Sequence, residues 1–234
     1  MSQDEPDLDA AYGLKTPEDS KRLYAAWAKT YDAGFAARMD YCLPERVVQA
    51  FVACRPRGPV LDIGAGTGLV GAHLAAADLG PVDGVDISQE MLDVAAERGV
   101  YRRLFIGDMT ARLDVADGTY QSVVSSGTFT TGHVGPEALD EVLRVAARGV
   151  QIAISVSKAH FEAAGFAAKF DALAGRITAL ELKSVRIYGD KGGLSWGQEN
   201  PNVMEYTPFG QPTQILTRNG ASGAHDGVRI PGGH

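Results

Sequence analysis

Cysteine is scarce: only Cys42 and Cys54 occur among 234 residues. They lie in a segment that reads as helix, and neither has a Cys or His partner at metal-ligand spacing. That excludes a disulfide framework and a thiolate metal site. Two buried free thiols are expected, and no metal. Positive charge is also short, with 22 Lys and Arg against 29 Asp and Glu and a formal net charge of −7. Nucleic-acid partners select clustered Lys and Arg, and Arg102-Arg103 is too short a run to serve, so no nucleic-acid partner is expected. No apolar run approaches the roughly 18 residues needed to span a bilayer, so no membrane partner is expected. The first residues, Met1-Ser2-Gln3-Asp4-Glu5-Pro6, are acidic and lack an apolar stretch, so they do not read as a secretory leader. The expected setting is cytoplasmic.

What remains is ordinary globular material, 45% hydrophobic and 22% charged. Residues 1–15 are polar. Thr16, Pro17 and Asp19 then form a helix-start signal, with Leu23, Tyr24, Trp27 and Tyr31 spaced as an apolar helix stripe. A second helix is expected from Pro44 through Val47, Val48, Phe51 and Val52 to Cys54, ended by Arg55-Pro56-Arg57-Gly58-Pro59.

From residue 60 strands and helices alternate. Strands are expected at Val60–Ile63, Val82–Asp86, Tyr101–Ile106, Tyr120–Ser125, Val150–Val156 and Leu180–Tyr188. Helices are expected from Leu69 to Ala77, after the cap Ser88, from Pro136, and from Phe161 to Ala174 with Gly165 weakening it. Apolar strands alternating with helices predict an α/β fold, a doubly wound parallel sheet covered on both faces. Ligands then bind at the carboxyl ends of the strands. Residues 189–234 are rich in Gly and Pro, and only Gln214–Thr217 reads as a strand there. The expected organisation is an N-terminal helical extension over 1–56, a cofactor-binding domain over 57–188 and a largely irregular segment over 189–234.

The strongest local signal is Leu61-Asp62-Ile63-Gly64-Ala65-Gly66-Thr67-Gly68, between a strand and a helix. Glycine lets the backbone turn sharply and approach a ligand closely, and the helix start offers unpaired amide donors. A dinucleotide loop reads G-x-G-x-x-G. Here the third glycine, Gly68, comes one residue early, and an acid at the loop entry sits badly beside a pyrophosphate. A sulfonium ligand with an ammonium group suits Asp62 better, so S-adenosylmethionine is favoured over NAD. Asp86 ends the second strand, 18 residues beyond Gly68, where a carboxylate can accept both ribose hydroxyls. Asp108 follows the third strand, where it can accept from an adenine amino group with Met109 against the ring. Three acids at successive strand ends point into one cleft.

The pattern Asp62-x-Gly64-x-Gly66-x-Gly68, then Asp86, then Asp108, resembles the motifs of class I methyltransferases over about residues 58–156. The resemblance implies a Rossmann-like, seven-stranded sheet, mostly parallel with the last strand antiparallel, and S-adenosylmethionine as cofactor. It also implies that Asp86 holds the ribose, that Asp108 and Met109 read the adenine, that Ile87 and Met91 flank the nucleoside, and that Ser125 lies near the methionine moiety. Ala65 belongs to the same loop. Tyr24-x-x-Trp27-Ala28-x-x-Tyr31-Asp32 and Ser126-Gly127-Thr128-Phe129-Thr130-Thr131-Gly132-His133-Val134-Gly135-Pro136 are further similar to the methyltransferase-like protein 27 group. By that likeness Trp27 and Tyr31 form part of an N-terminal helical lid over the cofactor; the competing reading is an amphipathic helix packing its aromatics into the core. The likeness stops at the C-terminus, where 189–234 lack the usual closing hairpin and Thr213 to Thr217 offers at most a shortened last strand.

Methyl transfer asks the protein chiefly to align donor and acceptor. A base helps when the acceptor is a hydroxyl or a protonated amine. His133, just after the fourth strand, is the candidate catalytic base, against the plainer reading of a loop histidine that packs near Pro136. His160 is a weaker candidate and His73 reads as structural. No Asn-Pro-Pro-Tyr/Phe tetrapeptide follows the fourth strand, so an amide or nucleobase acceptor is not indicated. A small-molecule O, N or S acceptor is the favoured substrate, with Trp196, Tyr206 and Phe209 offered as pocket residues. A protein methyltransferase, a non-catalytic S-adenosylmethionine-binding protein and a nicotinamide-dependent oxidoreductase are the alternatives.

Overall fold

The computed structural model describes residues 19, 22–24, 27–28, 41–177 and 179–180, and the backbone of four strands between 185 and 217. By contacts the chain divides into two compact units, 1–172 and 173–234. In the first, a helix α1 (Leu43–Ala53) precedes β1 (Val60–Ile63), α2 (Leu69–Ala76), β2 (Val82–Asp86), α3 (Gln89–Glu97), β3 (Arg103–Ile106) and β4 (Tyr120–Phe129). A 3-10 turn (Pro136–Ala138), α4 (Leu139–Val145), β5 (Ala146–Val156), α5 (Lys158–Ala163) and α6 (Phe166–Ala172) complete it. Gly165 has φ +80°, which ends the helix expected from Phe161 to Ala174 and splits it into α5 and α6.

The sheet runs β3-β2-β1-β4-β5 with every pair parallel. The order reverses at β1, between β2 and β4, and the crevice at that switch point is where such a sheet binds ligands. Pro44 at the first turn opens α1, and Val48 and Phe51 form its buried stripe. They pack with Val70 and Leu74 of α2 on Val60, Val82 and Val124 of the sheet. Each such side chain, fully buried, contributes roughly 1.5–3 kcal/mol.

Asp83 ties strands together from inside. Arg102 donates Nε and Nη2 to its two oxygens at 2.8 and 2.7 Å, and the buried Tyr120 hydroxyl donates to Oδ2 at 3.0 Å. Burial, reinforced by the neighbouring Asp83 carboxylate, raises the Tyr120 phenol and keeps it protonated. The residue before β3 and the first residue of β4 thereby converge on one carboxylate of β2.

Two expectations are corrected. In place of a seven-stranded sheet with an antiparallel last strand, the described residues show five parallel strands. β6 (Val185–Gly189), β7 (Gly192–Trp196), β8 (Val203–Pro208) and β9 (Gln214–Thr217) pair with one another as a separate antiparallel meander. Within residues 189–234 the described segments are therefore strands. Their glycines and prolines mark strand ends and turns (Gly189, Gly192, Pro208), which hid the pairing from a reading of apolar alternation. Both thiols are free as expected, but Cys54 is exposed rather than buried, because it lies just past the end of α1.

Candidate functional site

The carbonyl ends of β1, β2 and β4 and the segments before α1 surround a cavity of about 230 Å³. β1 opens it. After Ile63 the chain leaves the sheet through Gly64 (φ +67°) and Gly66 (φ +54°), backbone conformations that L-residues rarely adopt. The Gly64 and Ala65 amides both donate to Val85 O, at 2.9 and 3.0 Å, so the turn is clamped onto β2. Because β1 departs here, the Ile63 carbonyl is taken up by two side chains of β4 instead. The hydroxyls of Ser125 and Thr128 donate to it at 2.8 and 3.1 Å. A Cβ on Gly64 would collide with the Thr128 hydroxyl, whereas a Cβ on Gly66 would meet only Gly64 O, at 3.9 Å. The loop is closed against β4 at the first glycine and open to the cavity at the second.

Asp86, at the end of β2, faces the same space. Its Oδ2 accepts from the Gly66 amide at 2.9 Å and its Oδ1 from the Ser88 amide at 2.9 Å. Each carboxylate oxygen can accept more than one hydrogen bond, so both keep acceptor capacity toward the cavity. Burial pushes the Asp86 carboxyl upward, and the backbone amides of Ser88, Gly66 and Ile87 oppose that push. Ser88 also caps α3 through its side chain, accepting from the Met91 amide at 3.3 Å. That fixes Ile87 and the buried Met91 along the cavity wall. Asp108 and Met109 complete this end. Asp108 Oδ1 accepts from the Thr110 amide and hydroxyl at 2.8 and 2.7 Å, holding the loop after β3.

Asp62 is placed differently. It is fully buried and does not line the cavity. Its Oδ2 accepts from the Tyr101 hydroxyl at 2.7 Å, and the same hydroxyl oxygen accepts from the Gly71 amide of α2 at 3.2 Å. Its Oδ1 is buried with no partner among the described residues. Burial pushes the carboxyl up to about 7; the Tyr101 bond opposes this and the nearby Asp86 charge adds to it. Gly68, the left-handed cap of α2, packs behind the loop against Tyr101 and Arg98. Ser125 is likewise buried and spent on Ile63 O.

The opposite wall comes from the end of β4 and from the N-terminal segments. The β4–β5 register breaks between Ser125 and Phe129, which turns Ser126, Gly127 and Thr128 toward the cavity. Gly127 (φ +80°) lies under the Tyr41 hydroxyl, which would be 2.8 Å from a Cβ there. His133 stands in the following loop. Its Nδ1 faces Thr130 Oγ1 at 2.9 Å and Thr131 O at 3.2 Å, and its Nε2 faces the Tyr24 hydroxyl at 2.8 Å. A carbonyl only accepts, so Nδ1 carries the proton and Nε2 accepts from Tyr24. Burial lowers the His133 pKa; the Thr131 carbonyl opposes this and His160 assists it.

Trp27 is buried at 2% exposure, packed with Ala28 on Met91, and does not line the cavity; Tyr24, one turn earlier, does. Tyr31, Phe209 and the side chains of Trp196 and Tyr206 lie outside the described residues. His160 is turned away, with Nε2 on Val134 O at 2.9 Å and its ring against Phe166. Tyr41 was not singled out by the sequence, and Ser126 entered only as the first residue of the Ser126–Pro136 run, without a role; the available signal was hydroxyls around a glycine at a strand end. Among the described residues no group of His, Cys, Asp and Glu could hold a metal ion, and no helix is long and apolar enough to cross a membrane.

Residues 60–152 match a protein-family model described as a methyltransferase domain, and this is the stretch from β1 to β5 that forms the parallel sheet. That stretch is similar to methyltransferase domains. The chain is 32% identical to the human protein methyltransferase-like protein 27 over 138 residues, 57% of this chain and 56% of that one. It therefore spans little more than half the length of that relative. Among solved structures it is similar to DhpI in a complex with SAM and HEP, at 22% identity and TM-score 0.49, covering 74% of this chain and 76% of that one. It is also similar to a SAM-dependent methyltransferase from Aquifex aeolicus, at 25% identity and TM-score 0.39, covering 47% and 62%.

The residues present fit S-adenosylmethionine, the cofactor that the sequence motifs imply. The Gly66 backbone is open where a side chain would intrude, Asp86 and Asp108 are the carboxylates on the cavity wall, and Met91 and Met109 supply apolar surface beside them.

Proposed function

We propose that this chain is an S-adenosylmethionine-dependent methyltransferase acting on a small-molecule acceptor in the cytoplasm. One observation carries the reading: the open glycine loop and the carboxylates of Asp86 and Asp108 line one end of a cavity whose other end is walled by Tyr24, Ser126 and His133. When bound, the cofactor supplies a methyl group already activated by its sulfonium. The protein's part is to hold donor and acceptor in line and to accept a proton. In this reading Asp86 holds the ribose hydroxyls and Asp108 the adenine amino group. Gly64, Ala65 and Gly66 pass beneath the methionine portion, with Asp62, Gly68 and Ser125 bracing that loop from behind. Ile87, Met91 and Met109 face the nucleoside. His133 is the base. Tyr24 and Tyr41, contributed by the extension over 1–56, provide the cover that Trp27 and Tyr31 were expected to give, and the domain over 57–188 carries the cofactor.

A concave, partly open cavity of about 230 Å³ suits a small acceptor better than a protein surface. Calorimetry with S-adenosylhomocysteine and with NAD tests the cofactor; tight NAD binding in place of S-adenosylhomocysteine overturns the reading. Labelled methyl transfer against metabolites and proteins tests the acceptor. Transfer to protein alone points to a protein methyltransferase, and retained binding without transfer to anything points to a non-catalytic cofactor-binding protein.

A further inference from the structure

Glycines of the loop, of α2 and of β2 leave room for one side chain, Tyr101. A Cβ on Gly68 would stand 3.1 Å from Tyr101 Cε2, one on Gly71 2.3 Å from Cζ, and one on Gly84 3.0 Å from Cε1. At Gly71 any side chain would displace the ring. Ala65 closes the same socket from the loop, since a Cβ on Gly84 would lie 3.1 Å from its Cβ, and Ala65 lines the cavity. From this socket the Tyr101 hydroxyl donates to Asp62 Oδ2 at 2.7 Å and accepts from the Gly71 amide at 3.2 Å. Burial and the Asp62 charge push the phenol up, so it keeps its proton and stays the donor.

Asp62 Oδ1 is buried and unpaired among the described residues. The titratable groups acting on the carboxyl are Tyr101 and Asp86. Its sheet neighbours Gly84 and Val124 bring no charge, and α2 brings only the Gly71 amide, spent on Tyr101. Arg98, just past α3, acts by its charge on Tyr101. A buried carboxylate with one donor is poorly offset. Asp86 stands near enough to oppose ionisation of Asp62, and it lines the cavity. A positive ligand in that cavity acts with the opposite sign and favours the charged form.

We propose that Tyr101 is a positioning residue for cofactor binding: it fixes Asp62 behind the glycine loop, and the Asp62 carboxyl releases its proton to solvent when a cationic cofactor enters the cavity. This rests on the methyltransferase reading and adds a proton to its binding step. The carboxyl O–H bond breaks, the proton goes to buffer, and no other bond changes. Without ligand the carboxyl holds its proton up to about pH 7. Affinity for S-adenosylmethionine therefore rises as pH approaches 7, by at most about tenfold per unit for one proton, and levels off above it. Donation from Tyr101 favours the charged form, so losing it moves the levelling point to higher pH.

The test is calorimetry of S-adenosylmethionine binding to the full chain, between about pH 5 and 8, in buffers of different ionisation enthalpy, which counts protons released. The wild type should release a fraction of a proton below pH 7, and D62N should lose that release. The difference between the two isolates Asp62 from His133. Y101F keeps a ring in the socket, and its affinity should level off at higher pH than the wild type's. Equal release in D62N and wild type, or none in the wild type, overturns the proposal. So does a Y101F affinity that is unchanged, or lowered equally, at every pH, because a space-filling role alone gives that result. If Y101F does not fold, D62N decides, since an amide still accepts from Tyr101. Failure to bind S-adenosylmethionine overturns the underlying reading instead.

Discussion

The Tyr24 hydroxyl and His133 Nε2 stand 2.8 Å apart although 109 residues separate them in the chain. The bond joins the segment before the sheet to the loop after β4, and both residues line the cavity. Among the described residues Tyr24, Thr130, the Thr131 carbonyl and His160 act on His133. Its pKa is held below the ordinary 6.5, chiefly by burial, so the imidazole is neutral at pH 7 and able to take a proton. A folded pKa below the unfolded one means that stability is lost as pH falls through 6.5. An NMR titration should place the His133 midpoint below 6.5, and Y24F should raise it, because the phenol's donation favours the neutral ring. A midpoint above 6.5 in the wild type contradicts the burial seen here.

Asp86→Ala removes the carboxylate that accepts from the Gly66 and Ser88 amides. S-adenosylhomocysteine binding should weaken by about 1–3 kcal/mol, the usual cost of losing a charged hydrogen-bond partner. Calorimetry measures it directly, and an unchanged affinity removes Asp86 from the site.

Gly66→Ala separates strain from occlusion. At φ +54° an alanine costs about 1–2 kcal/mol, and its methyl meets nothing closer than Gly64 O at 3.9 Å. The variant should fold with a modestly lower melting temperature. Cofactor affinity should fall by at least tenfold, because the methyl enters the cavity. A drop in melting temperature with full affinity would show that the loop does not face the ligand.

Asp62 gives a pH signature. Its folded pKa, about 7, lies above the ordinary 3.8, so the folded protein holds a proton that the unfolded chain has lost across that window. Stability is greatest below the lower value, declines as pH rises toward 7, and levels off above it. The slope limit is about 1.4 kcal/mol per pH unit. Asp62→Asn can still accept from Tyr101 and has no charge to bury, so its chemical-denaturation stability should vary less between pH 4 and 7 than the wild type's. Equal slopes would place the titration elsewhere.

Short-range physics carries much of this molecule. The alternation of apolar strands with helices, the Gly64–Gly68 turn and the cap at Ser88 are properties of consecutive residues, so β1, β2, α1 and α3 were legible from the chain itself. The acids at successive strand ends were legible for the same reason: in a parallel sheet, position along a strand fixes which end a residue occupies, and Asp86 and Asp108 do face one cavity. Which way a side chain turns at that end depends on neighbours far away in sequence. Tyr101 captures Asp62 and holds it behind the loop, Met91 buries Trp27 so that Tyr24 lines the cavity, and Ile63 O takes up Ser125 so that Ser126 is the hydroxyl left facing inward. The last strands pair among themselves rather than with β5, because hydrogen bonding between strands is settled by register and proximity, not by apolar pattern. The sequence by itself determined the parallel sheet and the edge at which its cavity lies. Only the tertiary structure decided which residues of that edge touch the cavity.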